Sequence, residues 1–108
     1  MANIYKLPFR SNSPYTFTTT AGGNNFKFYI KHAIHDDTYF MDIDMNIDNK
    51  FVPIIRCINL TCGCDLFIPF KRYGLGSLFV IPTDVRYYHE VPRADTILTK
   101  FVMMWEHD

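Results

Sequence analysis

Apolar and polar residues alternate along three consecutive stretches of the chain. In Tyr15–Thr20, the residues Tyr15, Phe17 and Thr19 share one face. In Phe26–Ile34, one face carries Phe26, Phe28, Ile30, His32 and Ile34, and the other carries Lys27, Tyr29 and Lys31. In Tyr39–Ile47, Tyr39, Met41, Ile43, Met45 and Ile47 lie opposite Phe40, Asp42, Asp44 and Asn46. A two-residue period predicts antiparallel strands with one packed side and one wet side. Gly22-Gly23 lies between the first two and accepts the positive φ of a tight hairpin turn. Folding there sets Thr19 opposite Phe26, Phe17 opposite Phe28 and Tyr15 opposite Ile30. Asp36-Asp37 supplies the second turn, a weaker turn pair. It sets Ile34 opposite Tyr39, His32 opposite Met41, Ile30 opposite Ile43 and Phe28 opposite Met45. Lys31 then meets Asp42 on the wet side, which contributes roughly a few tenths of a kcal/mol. A one-residue slip would send every apolar side chain to the wrong face, so the pattern specifies register.

Outside this meander the elements are shorter. Asn3–Leu7 reads as a strand stopped by Pro8, and Arg10–Pro14 as a turn. Asp48-Asn49 is a third turn signal, followed by the apolar run Phe51–Leu60. Pro53 interrupts that run and cannot donate to a ladder. The run is therefore an edge strand, a bulged strand, or a strand that starts after Pro53. Thr61–Asp65 is a turn, and Asp65 caps one helical turn over Asp65–Phe70. Ser77–Ile81 reads as a buried strand ended by Pro82. Thr83–Thr96 is a long polar excursion, and Leu98–Glu106 is the last strand, with Thr99, Phe101, Met103 and Trp105 on one face. The fold class that follows is all-β. It is a compact antiparallel barrel or sandwich of about seven short strands, with at most one short helical turn near Asp65–Phe70. The chain of 108 residues suits a single domain spanning 1–108.

Composition agrees. The ten Phe and seven Tyr favour strands, Glu occurs only at positions 90 and 106, and Gln is absent. Formal net charge is zero, which argues against a nucleic-acid binder. The charges are unevenly placed, because Lys6, Arg10, Lys27 and Lys31 all precede the first acid, Asp36. The cluster Asp36, Asp37, Asp42, Asp44 and Asp48 follows. These charges read as the wet side of a sheet or as a two-signed surface that orients the domain between partners. The three cysteines, Cys57, Cys62 and Cys64, do not make a disulfide framework. With no evident signal peptide and no run near the roughly 20 apolar residues of a membrane helix, a protein made in a reducing cytoplasm is expected.

Candidate chemistry is sparse. Cys57, Cys62 and Cys64 have the spacing C-x4-C-x-C, which matches no usual structural zinc pattern. The competing reading makes Cys57 a small core residue and puts Cys62 and Cys64 in a turn. His32, His35, Asp36 and Asp37 are metal-capable, but they read as an apolar-face histidine and a solvated hairpin tip. Asp42 and Asp44 share a face as acid–base pairs do, yet that face is expected to be wet. Tyr73-Gly74-Leu75-Gly76 lacks the Lys-Ser/Thr of a phosphate loop, so its glycines serve backbone geometry. No catalytic residue, cofactor or metal ligand is assigned, and the chain is expected not to be an enzyme.

Several elements recur together in a known family. They are Ile4-Tyr5-Lys6-Leu7, Tyr15-Thr16-Phe17, the Gly22-Gly23 hairpin with Phe26-Lys27-Phe28, and Tyr39-Phe40-Met41-Asp42-Ile43. Asn59-Leu60, the Gly63 turn, Asp65-Leu66-Phe67 and, most specifically, Phe70–Val80 complete the set. In these the chain resembles the small baseplate plug proteins of contractile-tailed bacteriophages, nearly end to end. It departs at Tyr39, where Trp is expected, and at Cys62 and Cys64, which have no counterpart. The resemblance implies a virion structural protein of the tail baseplate, made in the host cytoplasm. Such a protein would plug or connect the central hub in multiple copies of a symmetric assembly. Its implied partners are other tail and baseplate proteins (hub, spike, tube or wedge components), with no membrane and no direct nucleic acid. Aromatic and arginine residues outside the strand cores suit such contacts: Phe40, Arg72, Tyr73, Arg86, Tyr87 and Tyr88. The competing function is a small β-barrel module binding oligonucleotides or sugars, which needs a basic aromatic groove.

Overall fold

The computed structural model describes residues 3–10, 14–84, 86 and 90–107. Seven strands run β1 (Asn3–Leu7), β2 (Tyr15–Ala21), β3 (Asn24–Ala33), β4 (Thr38–Ile47), β5 (Lys50–Asn59), β6 (Ser77–Pro82) and β7 (Phe101–His107). They form two antiparallel sheets, one ordered β2-β3-β4-β5 and the other β1-β7-β6. Their inner faces meet in one apolar core, so the all-β architecture takes the sandwich form. Trp105 is fully buried at its centre, edge-on to Phe26 at 5.2 Å and to Phe28 at 5.4 Å between ring centroids. Its indole N–H donates to the Leu75 carbonyl at 2.6 Å, which satisfies the polar end of a large core side chain.

The first hairpin has the expected register, with Thr19, Phe17 and Tyr15 opposite Phe26, Phe28 and Ile30. Gly22 and Gly23 both take positive φ, 58° and 79°, as that two-residue turn requires. Asp48 and Asn49 turn the β4–β5 hairpin in the same way, at 53° and 66°. The β3–β4 pairing differs from the expected one by two residues. His32 faces Tyr39, Ile30 faces Met41, Phe28 faces Ile43 and Phe26 faces Met45. The connection is a four-residue turn over 34–37, with Asp37 alone at positive φ, 50°. Two adjacent aspartates would bring like charges together in a tight turn. The longer loop instead frees the Asp37 carboxylate to accept from Ala94 N at 2.9 Å and to meet His32 Nε2 at 2.7 Å. Ile34, placed in the strand by its pattern, sits in this turn and is 83% exposed. A shift of two residues preserves the faces, so the core survives the change of partners.

Pro53 lies on β5, an edge strand, as its missing N–H demands. β5 is also bulged against β4, with register shifts on both sides of Ile43. The short helix is a 3₁₀ turn over Ile68–Tyr73, three residues later than expected. Asp65 does not cap it; its carboxylate accepts from Phe67 N at 2.9 Å and Leu78 N at 3.0 Å and so ties the turn to β6. β7 starts at Phe101 rather than Leu98. Thr96 O accepts from Lys100 N at 2.9 Å and Arg93 O accepts from Ile97 N at 2.9 Å, which winds the segment before it into helical turns. Among the described residues no helix is long and apolar enough to cross a membrane.

Candidate interface surfaces

The two sheets differ sharply on their outer faces. On the four-stranded sheet that face carries Thr16, Thr18 and Thr20 from β2, then Lys27, Tyr29 and Lys31 from β3, then Phe40, Asp42, Asp44 and Asn46 from β4. It was expected to be wet, yet Asp42 and Asp44 are buried, at 4% and 6% exposure. Long cationic side chains cover them, each about half-exposed and each setting its charged head on a carboxylate. Lys31 Nζ meets Asp42 Oδ2 at 2.6 Å, and Arg56 Nη1 meets Asp44 Oδ1 at 2.8 Å. Lys31 faces Phe40 in the ladder, so its pair with Asp42 is diagonal. Asp42 also accepts from Cys57 N at 2.8 Å. Cys57 has φ 60° and sits at the bulge, so the carboxylate pins the irregular turn of β5. Burial opposes the Asp42 charge, but the Lys31 ammonium and the Cys57 N–H outweigh it and hold the carboxyl below its ordinary range. The aspartates are thus a structural clamp rather than an acid–base pair.

Lys27 stands over the rings of Tyr29 and Phe51 at 5.2 and 5.6 Å, and Lys31 over Phe40 at 5.8 Å. Phe40, one of the interface candidates, is therefore half-buried beneath a lysine. Arg86, another, is engaged by Asp84 through its guanidinium at 2.8 and 3.1 Å. Tyr73 is exposed at the end of the 3₁₀ turn. The side chain of Arg72 and all of Tyr87 and Tyr88 lie outside the described residues. The neighbouring Lys71 is structural: its ammonium binds Asp65 at 2.8 Å, the Gly76 carbonyl at 2.6 Å and Ser77 Oγ at 2.9 Å. It locks the Gly74–Gly76 turn to the start of β6. Gly76 has φ 77°, and a Cβ there would overlap the Glu106 carbonyl oxygen.

The cysteines do not converge. Cys57 is exposed at the bulge instead of filling the core, because its backbone takes the left-handed conformation. Cys62 pairs with Val80 in a parallel bridge beside β6. Its thiol is pushed up to about 11 by burial first and then by Cys64 and Glu90. Among the described residues no group of three or more His, Cys, Asp or Glu is placed to hold a metal ion. His32 and Asp37 are brought together, but as part of the latch onto Ala94. Arg93 strengthens that latch, donating to the carbonyls of Asp36 at 3.1 Å and Asp37 at 3.4 Å.

The three-stranded sheet is different. Leu78 and Val80 of β6 point inward, while Phe79 and Ile81 point outward. Phe101, Met103 and Trp105 of β7 point inward, while Val102 and Met104 point outward. Phe79 faces Met104 and Ile81 faces Val102 across the ladder. On the other side of β7, Lys6 faces Met104 and Ile4 faces Glu106. The outer face is thus apolar, with Ile4, Phe79 and Ile81 at 64%, 36% and 42% exposure. Beside it, Lys6, Leu7, Phe9, Leu98, Phe101 and Val102 line a pocket of about 350 Å³. The expectation that Ser77–Ile81 is a buried strand holds for one of its faces only. The signal for this surface was present in the sequence: Leu78–Ile81 and Phe101–Trp105 are apolar without alternation, the mark of strands covered on both sides.

A family model described as Cyanophage baseplate Pam3 plug gp18 matches residues 4–108. The chain belongs to this family of baseplate plugs. Membership assigns it a structural role in the tail baseplate of a phage virion, in agreement with the resemblance seen in the sequence. The match takes in both sheets. No curated protein matches the chain.

Proposed function

We propose that this plug acts as one domain that closes or connects the central hub of the baseplate, in multiple copies and through protein–protein contacts alone. The observation that carries the reading is the combination of a locked core with large apolar side chains left at the surface, among them Ile4, Ile68, Phe79, Ile81 and Leu98. Isolated exposed apolar residues are ordinary, but several together on a rigid fold suit permanent assembly. The clamp on Asp42 and Asp44, the Lys71 tie and the Asp37 latch give that fold the stiffness a tail component needs. Phe40, Arg72, Tyr73, Arg86, Tyr87 and Tyr88 are proposed as further contacts, and no chemistry or cofactor is assigned.

The oligonucleotide or sugar reading draws on the strip of Lys27, Tyr29, Lys31 and Phe40. Lys31 is neutralised there by Asp42, and Arg56 by Asp44, which leaves Lys27 as the one cation of the strip without an ion pair among the described residues, too little charge to hold a nucleic-acid backbone. Mass spectrometry of purified particles tests the first reading, with imaging of the intact tail to place the chain. Absence from the particles would sink it.

A further inference from the structure

We propose that β2 is the seam of a homodimer, in which two copies join β2 to β2 antiparallel about a two-fold axis through Thr18. The four-stranded sheet then continues into the second chain. This goes beyond the baseplate reading, because it is a property of the free protein. β2 is an end strand, so one of its sides has no ladder partner. The first hairpin decides which groups lie there. In a two-residue hairpin the residues flanking the turn, Ala21 and Asn24, exchange both hydrogen bonds, and every second pair does the same. Tyr15, Phe17, Thr19 and Ala21 are thereby tied to β3, and the N–H and C=O groups of Thr16, Thr18 and Thr20 point away from it. Among the described residues no loop backbone bonds to them. The other end strands guard their open sides. β5 carries Pro53 and is bent by its bulge, with Cys57 at φ 60°. On β6, Leu78 O accepts from Leu66 N at 2.8 Å, Leu78 N donates to Asp65 Oδ1 at 3.0 Å, and Cys62 bridges Val80. β1 is short, carries Lys6 and is followed by Pro8. β2 has 7 residues with no charge, no proline and no bulge. An end strand in that state is a template for another strand.

The occupant is a second copy because the strand is complementary to itself. Turned about Thr18, its middle residue, it sets Thr18 opposite the second copy's Thr18 and Thr16 opposite its Thr20. Free groups meet free groups at every threonine, and any other register leaves an outer threonine unpaired. On the inner face large residues fall beside small ones, Phe17 opposite Thr19 and Tyr15 opposite Ala21. Phe17 stacks on Phe28 at 5.0 Å between ring centroids but stays half-buried at the open side. In the dimer it meets the second copy's Phe17 on the diagonal, within reach of aromatic side chains. The uncharged strand brings no like charges together, and β-branched threonines pair across the outer face. A parallel pairing of two β2 strands needs a two-fold axis along the strands. That axis turns one sheet over and sets the apolar face of one copy beside the threonine face of the other. The antiparallel contact keeps like faces together and closes on itself.

Sedimentation and light scattering of the purified chain should show a dimer that dissociates on dilution. Thr18→Lys sets two ammonium groups opposite each other on the two-fold, and Thr18→Glu sets two carboxylates there. Each variant alone should dimerise about tenfold or more weakly than wild type, and an equimolar mixture should recover the dimer as a heterodimer. Thr18→Pro removes the N–H at the centre of the seam without touching a β2–β3 bond, and should be monomeric. Position 18 is exposed, so all three variants should keep the wild-type circular dichroism. Amide exchange reads the register: the N–H groups of Thr16, Thr18 and Thr20 should slow as concentration rises, while those of Phe17 and Thr19 are slow throughout. A monomeric wild type overturns the proposal. So does a dimer that Thr18→Lys and Thr18→Pro leave intact, or one in which the Thr18 N–H exchanges equally fast at every concentration. A monomeric wild type whose Thr18→Lys variant is lost from purified particles overturns it too, and gives the edge to a strand of a different protein.

Discussion

Replacing Asp42 by alanine removes the pin of the β5 bulge, and the expected loss follows from the geometry. Asp42 is 4% exposed, its Oδ1 accepts from Cys57 N at 2.8 Å, and its Oδ2 meets Lys31 Nζ at 2.6 Å. A hydrogen bond to a charged acceptor contributes about 1.5–3 kcal/mol. The Lys31 side chain is 41% exposed, so its pair adds only about 0–1 kcal/mol after solvent screening. Asp42→Ala is therefore expected to destabilise by about 2–3 kcal/mol, a fall in Tm of roughly 10–20 °C for a domain of this size. Asp42→Asn keeps an oxygen for the Cys57 N–H but loses the charge, and should recover about half of the loss. Lys31→Met removes only the exposed pair and should cost about 1 kcal/mol or less. Thermal and urea unfolding, followed by far-UV circular dichroism and the fluorescence of Trp105, measure all three. The reasoning fails if Asp42→Ala stays within about 0.5 kcal/mol of wild type. It fails equally if Lys31→Met is as damaging as Asp42→Ala.

Gly76→Ala meets both a positive φ and the Glu106 carbonyl, and should lower stability by at least about 1–3 kcal/mol in the same unfolding assay. Asp42 and Asp65 are held below the ordinary carboxylate range: burial raises each, but Lys31 with Cys57 N–H and Lys71 with two backbone N–H groups outweigh it. A depressed folded-state value means that the stabilisation is complete above the unfolded carboxylate value of about 3.9 and is lost as pH falls through the folded value. Acid titration of stability should steepen below about pH 4, and Asp65→Asn should flatten it. Cys62, with its thiol raised to about 11, should react with an aromatic disulfide at pH 8 far more slowly than exposed Cys57 and Cys64, read as two fast thiols and one slow.

Where one side of a strand is packed, the sequence is legible, because alternation encodes the face directly. Tyr15–Thr20 and Phe26–Ile34 thus yield the first hairpin with its register. The β3–β4 register escapes, since it depends on Asp37 finding Ala94, a residue far along the chain. The burial of Asp42 and Asp44 escapes for a related reason. Arg56 arrives from β5, and only the bulge at Cys57 brings its backbone N–H to Asp42. The 94–100 turns hide because Thr99, Phe101 and Trp105 continue a strand-like rhythm that local Thr96 hydrogen bonds override. The apolar outer face was written in β6 and β7, but covered strands and exposed ones read alike until a sheet shows which side has no neighbour. The aromatic and arginine candidates were chosen by residue type, which says what a contact prefers and not where the fold puts it.

The pairing of β1 with β7 joins Asn3 to His107, nearly the full length of the sequence. During synthesis β2, β3, β4 and β5 can zip together from neighbouring hairpins as they leave the ribosome, whereas β1 must wait unpaired until β7 is made. Ile4 and Lys6 come into line with Met104, Phe79 and Ile81 only at that last step. The outer face of the β1-β7-β6 sheet is therefore completed late, and a copy truncated before β7 does not form it.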